Sequence, residues 1–304
     1  MISDEFNSKI WIYFETNLKP RTRKEYLKII KDFNKEIGHD PLTLTSKEAK
    51  QYYNYLLNKM EHNLISYSTG VMRLSVIRSI CNFIEYYNIN HGNKYINYFK
   101  EYSLPEPDRL IDEKGIPNSL EINNILEAIK ECDDKKAFLI FSLAVKCALT
   151  NSEICKLNME YIVLDKTSNS ICINYPANSR NNIARTIKIP DDVAKLLDEY
   201  IYENNIKEGP VFINKRKNRM QLRDSERLIE KYCKICLDNN KIRNKYTLQA
   251  LRHAGLSYML AGGAPKDAVA NYAGITGRWM TRYDRIITSK TYNQAVNYSI
   301  ITIQ

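Results

Sequence analysis

The 304-residue sequence predicts a mainly α-helical protein with one small antiparallel β-sheet, divided into two domains. Three observations predict this. Apolar residues recur at helical spacing through residues 1–102, with no strand-like alternation. A stretch over 103–118 then sets three prolines and a glycine among charged residues, the composition of a linker. Beyond it, short alternating segments sit between helical patterns, as in a mixed domain. A chain of this length can bury two cores.

The elements follow in order. "RTRKEYLKIIKDFNKEIG" places Tyr26, Leu27, Ile30 and Phe33 on one helical face. "LTSKEAKQYYNYLLNKM" opens with Thr45 and has Glu48 three residues later, a capping-box pattern. "SYSTGVMRLSVIRSICNFIEYYN" carries Val71, Leu74, Ile77 and Ile80 on one face and Arg73 and Arg78 on the other. After the linker, helices are expected over 119–131 and 134–149. A three-strand meander follows in "YIVLD", "NSICINY" and "RTIKIP". Helix returns in "DDVAKLLDEYIYEN" and from Arg223 to Asp238, separated by a short strand and a very basic loop in "PVFINKRKNRMQLR". The remainder reads as helix over 247–261 and 265–273, around Tyr283, and near 289–298.

Composition narrows the function. A net charge of +10 favours a polyanionic partner. Seven scattered cysteines fit a reducing compartment, and a cytoplasmic location is expected. Cys233 and Cys236 form a CxxC, but no second CxxC or histidine pair completes a zinc site. The pair is read as two cysteines of an amphipathic helix, and no metal is expected. No run approaches the length of a membrane span, and no signal core opens the chain, so no membrane partner is expected.

The motifs then carry a resemblance. "CALTNSEICKLNMEYI" is similar to a segment written GLRxSELxxLxxxDI. "LQALRHAGLSYMLAGGAPKDAVANYAGI" is similar to a box written HxLRHTxAxxLxxxGxxxxxIxxxLGH. "TRYDRI" matches a box that holds a nucleophilic tyrosine. In this order and spacing the chain resembles the tyrosine recombinase family, the phage-type integrases, over almost its whole length. The resemblance implies a helical core-binding DNA-binding domain over 1–102 and a tyrosine-recombinase catalytic domain over 119–304. It also implies attack of a tyrosine on a DNA phosphodiester, giving a 3′-phosphotyrosyl link and a free 5′-hydroxyl with no cofactor. Two arginines clamp the non-bridging oxygens, and histidine and lysine move protons.

Carried over residue by residue, the set is incomplete. Tyr283 stands at the nucleophile and Arg252 at the second arginine. The first arginine position is Thr150, the histidine opening the HxLR box is Gln249, and the residue closing the LGH box is Ile275. His253, directly after Arg252, is the one histidine of the catalytic region. The hairpin that would hold a catalytic lysine reads "YPANSRNNIARTIKIP", with Arg180, Arg185 and Lys188 as candidates. Lys146, one helical turn before Thr150, and Trp279, one turn before Tyr283, are possible substitutes. Tyr272 and Tyr292 compete with Tyr283 but fit the spacing worse.

The partner implied is double-stranded DNA, bound through phosphates. The residues expected to bind it are Arg21, Arg23, Arg73, Arg78, Arg180, Lys188, Lys215, Arg216, Lys217, Arg219, Arg278 and Arg282. The tail after Tyr283 is amphipathic and suits either docking on a neighbouring protomer, as the resemblance implies for a homo-oligomer on DNA, or folding back on its own core. Three functions remain open. One is strand cleavage for a mobile element, either recombination or nicking like that of the clostridial conjugative-plasmid relaxases that share this fold. The second is a catalytically silent DNA-binding factor, and the third a helical protein with no DNA role.

Overall fold

The computed structural model describes residues 2–105, 110–165, 168–174 and 184–285. The chain divides into two compact units, Met1–Asp108 and Arg109–Gln304, and the division falls inside the stretch read as a linker. Apolar residues of that stretch are nonetheless packed: Leu104 is buried in the first core, and Ile111 and Ile116 in the second.

In the first unit, helices span Pro20–Ile37, Ser46–Glu61 and Tyr67–Asn90. Pro20 begins the first of these at a position where its missing N–H costs nothing, and Gly38, at φ 97°, ends it in a left-handed turn. The capping box is formed, with Thr45 Oγ1 accepting from Glu48 N and Glu48 Oε2 from Thr45 N. One element was not singled out in the sequence: Asp4–Phe6 runs through a π-helical turn, Asn7–Trp11, into Ile12–Asn17. It buries Phe6, Ile10, Trp11 and Phe14, and the π turn shifts the helical period there.

Arg73 and Arg78, expected to face DNA, make contacts within the unit. Arg73 Nη1 pairs with Asp32 Oδ2 at 2.6 Å, tying two helices together. Arg78 donates through Nε to Phe99 O at 3.0 Å and through Nη2 to Tyr102 O. Both side chains are half-buried, so their polar faces serve backbone and carboxylate acceptors of the unit itself.

The second unit packs helices around the helix Lys135–Lys146, whose residues are almost all buried. Helices Ser119–Glu131, Asp191–Glu203, Leu222–Asp238 and Leu248–Ala261 surround it, and the short helix Asn151–Lys156 follows it. The CxxC contributes to packing: Cys233 and Cys236 are both buried on the Leu222–Asp238 helix. Among the described residues no helix is long and apolar enough to cross a membrane. The expected strand at "PVFIN" is not a strand. Single bridges, Asn158 with Pro210 and Ile213 with Arg219, hold a tight turn there instead.

The sheet has order β1 (Ile162–Leu164), β2 (Asn169–Ile173), β3 (Arg185–Lys188), antiparallel throughout. Its register aligns Ile171 with both Ile162 and Ile187, and Ile173 with Arg185. Because strand side chains alternate, Arg185 shares the inward face with Ile187, whereas Thr186 and Lys188 point outward.

The helix Leu248–Ala261 packs tightly against Lys135–Lys146 at Gly255. A Cβ there would lie 1.9 Å from Val145 O. The obstacle is backbone, which cannot rotate away. Gly255→Ala is expected to destabilise the protein by about 1–3 kcal/mol or more, read as a lower urea midpoint. An unchanged midpoint would mean that the two helices are not locked here.

Candidate active site

The helix Leu248–Ala261 begins at Thr247, whose side chain accepts from Ala250 N, and it places three site residues within its first two turns. Gln249 and His253 are four apart and therefore stack on one face. Arg252 points to the adjacent, buried side and is only 6% exposed. Its Nε donates to Ala148 O and its Nη2 to Ala273 O, both at 2.6 Å. Ala148 lies in the turn after Lys135–Lys146, with φ 51°, and Ala273 ends the helix Lys266–Ala273. A guanidinium at a helix C-terminus meets carbonyl ends and a favourable dipole.

Tyr283 ends a 3-10 turn, Thr281–Tyr283, that continues the helix Gly277–Met280. Met280 and Tyr283 are buried, and Ile111 N donates to Arg282 O at 2.7 Å, so residues after the domain division anchor the tyrosine turn. Tyr283 is only 2% exposed, and its hydroxyl lies 2.6 Å from His253 Nδ1. The other imidazole nitrogen, Nε2, lies 3.0 Å from Gln249 Nε2. As placed, the Gln249 amide N–H donates to Nε2, leaving Nδ1 to carry the proton and donate to Tyr283. Rotating the amide by half a turn reverses both bonds, so that Nε2–H donates to Gln249 Oε1 and Nδ1 accepts from Tyr283.

Burial pushes the His253 imidazole down to about 3, with the charges of Arg282 and Arg252 adding to the effect. Burial pushes the Tyr283 phenol up to about 12, against the same two arginines. At neutral pH the pair is therefore neutral imidazole beside neutral phenol.

Between pH 3 and 6.5 the unfolded chain binds a proton at His253 that the folded chain excludes. Stability from this group is full above pH 6.5 and declines as pH falls towards 3. Urea unfolding at pH 7 and pH 5 is expected to show a smaller loss on acidification in His253→Gln than in the wild type. An equal loss in both proteins would mean that His253 protonates freely in the folded state.

A pocket of about 270 Å³ opens beside these groups, lined among others by Thr150, Glu153, Arg252, His253, Gly274 and Tyr283. It gathers Tyr283, Arg252, His253 and Gln249, together with Ile275, Trp279 and Arg282. Thr150 caps the helix Asn151–Lys156. Its Oγ1 accepts from Glu153 N at 3.2 Å, and Glu153 Oε2 accepts from Thr150 N at 2.7 Å. Trp279 lies under the Arg282 guanidinium, 5.3 Å from the ring centroid.

Other sequence candidates lie elsewhere. Lys146 is buried against Asp192, and its helix ends before Thr150, so the two do not share a helical face. Tyr272 OH is occupied by the carbonyls of Lys146 and Lys188, at 3.3 and 3.2 Å. Lys188 points outward on the sheet, away from the face that Arg185 shares. Arg219 is tied to Asn158 Oδ1 at 2.6 Å and to Cys155 O. Lys215, Arg216, Lys217 and Arg278 are exposed. Arg180 and Tyr292 lie outside the described residues, as does the expected helix near 289–298.

The phage integrase family model matches residues 118–283, a span that runs from the first helix cap of the second unit to Tyr283. The tyrosine recombinase XerC of Syntrophus aciditrophicus (strain SB) is 21% identical over 279 residues, covering 86% of this chain and 85% of its own. The Tn1549 transposon integrase, solved in complex with transposon right end DNA, shares the fold at a TM-score of 0.71 and 15% identity, covering 93% of this chain and 94% of its own. A lambda integrase dimer bound to a COC′ core site does so at a TM-score of 0.66 and 14% identity, covering 94% and 95%. The family match spans more than half of the chain and contains every residue of the pocket, so the chain belongs to the phage integrase family, the tyrosine recombinases.

Proposed function

We propose that this protein binds duplex DNA and cleaves one strand through Tyr283. The observation that carries the reading is the contact of 2.6 Å between Tyr283 OH and His253 Nδ1 in a pocket that also holds Arg252. A buried tyrosine with a packing role alone needs no imidazole at its hydroxyl and no guanidinium beside it. In the step proposed, Tyr283 Oη attacks phosphorus, the Oη–P bond forms and the P–O5′ bond breaks. The phenolic proton passes to His253 and then to the departing 5′ oxygen. Arg252 faces the non-bridging oxygens, whose charge grows in the transition state. The link conserves the bond for rejoining, which suits recombination or relaxase-like nicking for plasmid transfer.

DNA affinity would rest on phosphate contacts. Lys215, Arg216 and Lys217 stand on an exposed turn, and Lys215 and Arg216 line a groove of about 920 Å³ together with Arg227 and Lys231. Arg278, Arg282 and Lys188 complete the set in this unit, and Arg21 is exposed in the other. Binding should weaken with salt by a logarithmic slope of about 0.9 per phosphate neutralised.

A second reading, a DNA-binding protein that no longer cleaves, is favoured by Thr150, Gln249 and Ile275 at positions where the family resemblance implies an arginine and two histidines or a tryptophan. Covalent trapping separates the two. The protein is mixed with supercoiled plasmid carrying DNA from its own locus, quenched with SDS and examined for protein-linked nicked DNA. An adduct is expected. Tight, salt-sensitive binding with no adduct would leave the second reading standing.

A further inference from the structure

We propose that Arg185, from β3 and in contact with Glu153 and Gly274 of the pocket wall, is a second phosphate-clamping guanidinium, taking the task that Thr150 at the first arginine position cannot perform. The inference rests on the strand-cleavage reading above for its role in the reaction, and on geometry for the site itself.

A charged side chain on the inward face of a strand needs partners, and Arg185 has an unusual set. Its side chain is 7% exposed, and its Nη1 pairs with Glu153 Oε1 at 2.7 Å. Its Nε donates to Tyr272 O at 2.7 Å. Arginine and carboxylate ordinarily meet as a fork, with two parallel bonds. Here the second oxygen of Glu153 accepts from Thr150 N, so the fork is half used. Arg185 Nη2 is left buried with no hydrogen-bond partner. An unsatisfied guanidinium nitrogen in a buried position is costly, and a built site can retain it when a ligand brings the acceptor.

The surroundings point to that ligand. Consecutive carbonyls hold the two guanidiniums: Tyr272 O takes Arg185, and Ala273 O takes Arg252. Glu153, Ala273 and Gly274, which enclose Arg185 and Arg252, all line the pocket. Gly274, at φ 66°, gives Arg185 its room: a Cβ there would lie 2.4 Å from Nη1 and 2.8 Å from Cζ. The ligand chemistry is a tetrahedral oxyanion, with one non-bridging oxygen for each guanidinium. Thr150 meanwhile keeps its hydroxyl on Glu153 N, the same carboxylate residue that holds Arg185. The cap and the clamp therefore share one anchor.

Two measurements test this on the full chain. Crystals soaked in tungstate, a tetrahedral dianion visible by anomalous scattering, are expected to show a peak within hydrogen-bond reach of both Arg185 Nη2 and the Arg252 guanidinium. No peak in the pocket, or one out of reach of Arg185, overturns the proposal. The second uses Arg185→Lys, which keeps a cation opposite Glu153 and so avoids a buried, unpaired carboxylate. Adduct formation should fall by about 10²–10³ on a phosphodiester. It should recover to within several-fold of wild type on DNA with a neutral methylphosphonate at the cleaved position. An equal loss on both substrates would make Arg185 only the support of Glu153 and overturn the proposal. Tungstate bound at Arg185 in a wild-type protein that forms no adduct would overturn strand cleavage and leave the anion site standing.

Discussion

Tyr283→Phe is expected to eliminate the SDS-stable protein–DNA adduct and to leave DNA affinity unchanged. The substitution removes one oxygen and keeps the ring that fills the core beside Met280. The lost hydrogen bond to His253 is worth about 1 kcal/mol, so the fold should persist with a small shift in its urea midpoint. On the proposed reading affinity rests on exposed cations such as Lys215 and Arg216, which the change does not touch. A salt titration of binding should therefore superimpose for the two proteins. An adduct that survives in Tyr283→Phe would remove Tyr283 as the nucleophile. Tyr272 would not replace it readily, because its hydroxyl is held by two carbonyls away from the pocket.

The fold was legible because its signals are local. The capping box at Thr45 and the alternation in "RTIKIP" each mark an element from a few neighbouring residues. The tyrosine, Arg252 and His253 were legible through motif spacing, and the pocket does bring them together with Gln249. What was missed depends on distant partners. Arg73 and Arg78 look like solvated helix cations until Asp32 and the carbonyls of Phe99 and Tyr102 arrive from other elements. Lys146 seems to share a face with Thr150 only if the helix continues, and it stops at Lys146. Arg185, a hairpin candidate by sequence, carries a further signal: in R-T-I-K-I the inward positions are arginine, isoleucine and isoleucine, so one charge lies on an apolar face. Its pairing with Glu153, 32 residues earlier, could not be read from spacing.

His253→Ala is expected to lower the rate of adduct formation by about 10²–10⁴, the range for loss of a positioned proton acceptor. The resting pocket shows why the effect should be large. With burial holding the imidazole down and the phenol up, moving the proton from Tyr283 to His253 in the empty site is uphill. Ionised tyrosine therefore does not accumulate in the empty site, and the buried phenol stays neutral. A phosphodiester in the pocket changes the balance. Its negative charge offsets Arg252 and Arg282, two of the causes that hold the imidazole down. Proton transfer can then accompany Oη–P bond formation instead of preceding it. With the Gln249 amide turned so that its oxygen meets Nε2–H, His253 Nδ1 is an acceptor, the tautomer that the proposed step needs. The pH profile separates this role from a structural one. Wild-type adduct formation should be nearly flat from pH 7 to 9, because the imidazole is neutral throughout. In His253→Ala the rate should climb with pH as hydroxide replaces the missing base, and added imidazole should restore part of it. A variant that keeps the wild-type rate within several-fold, or one whose loss ignores both pH and imidazole, would assign the proton to another acceptor and reduce His253 to a packing partner of Tyr283.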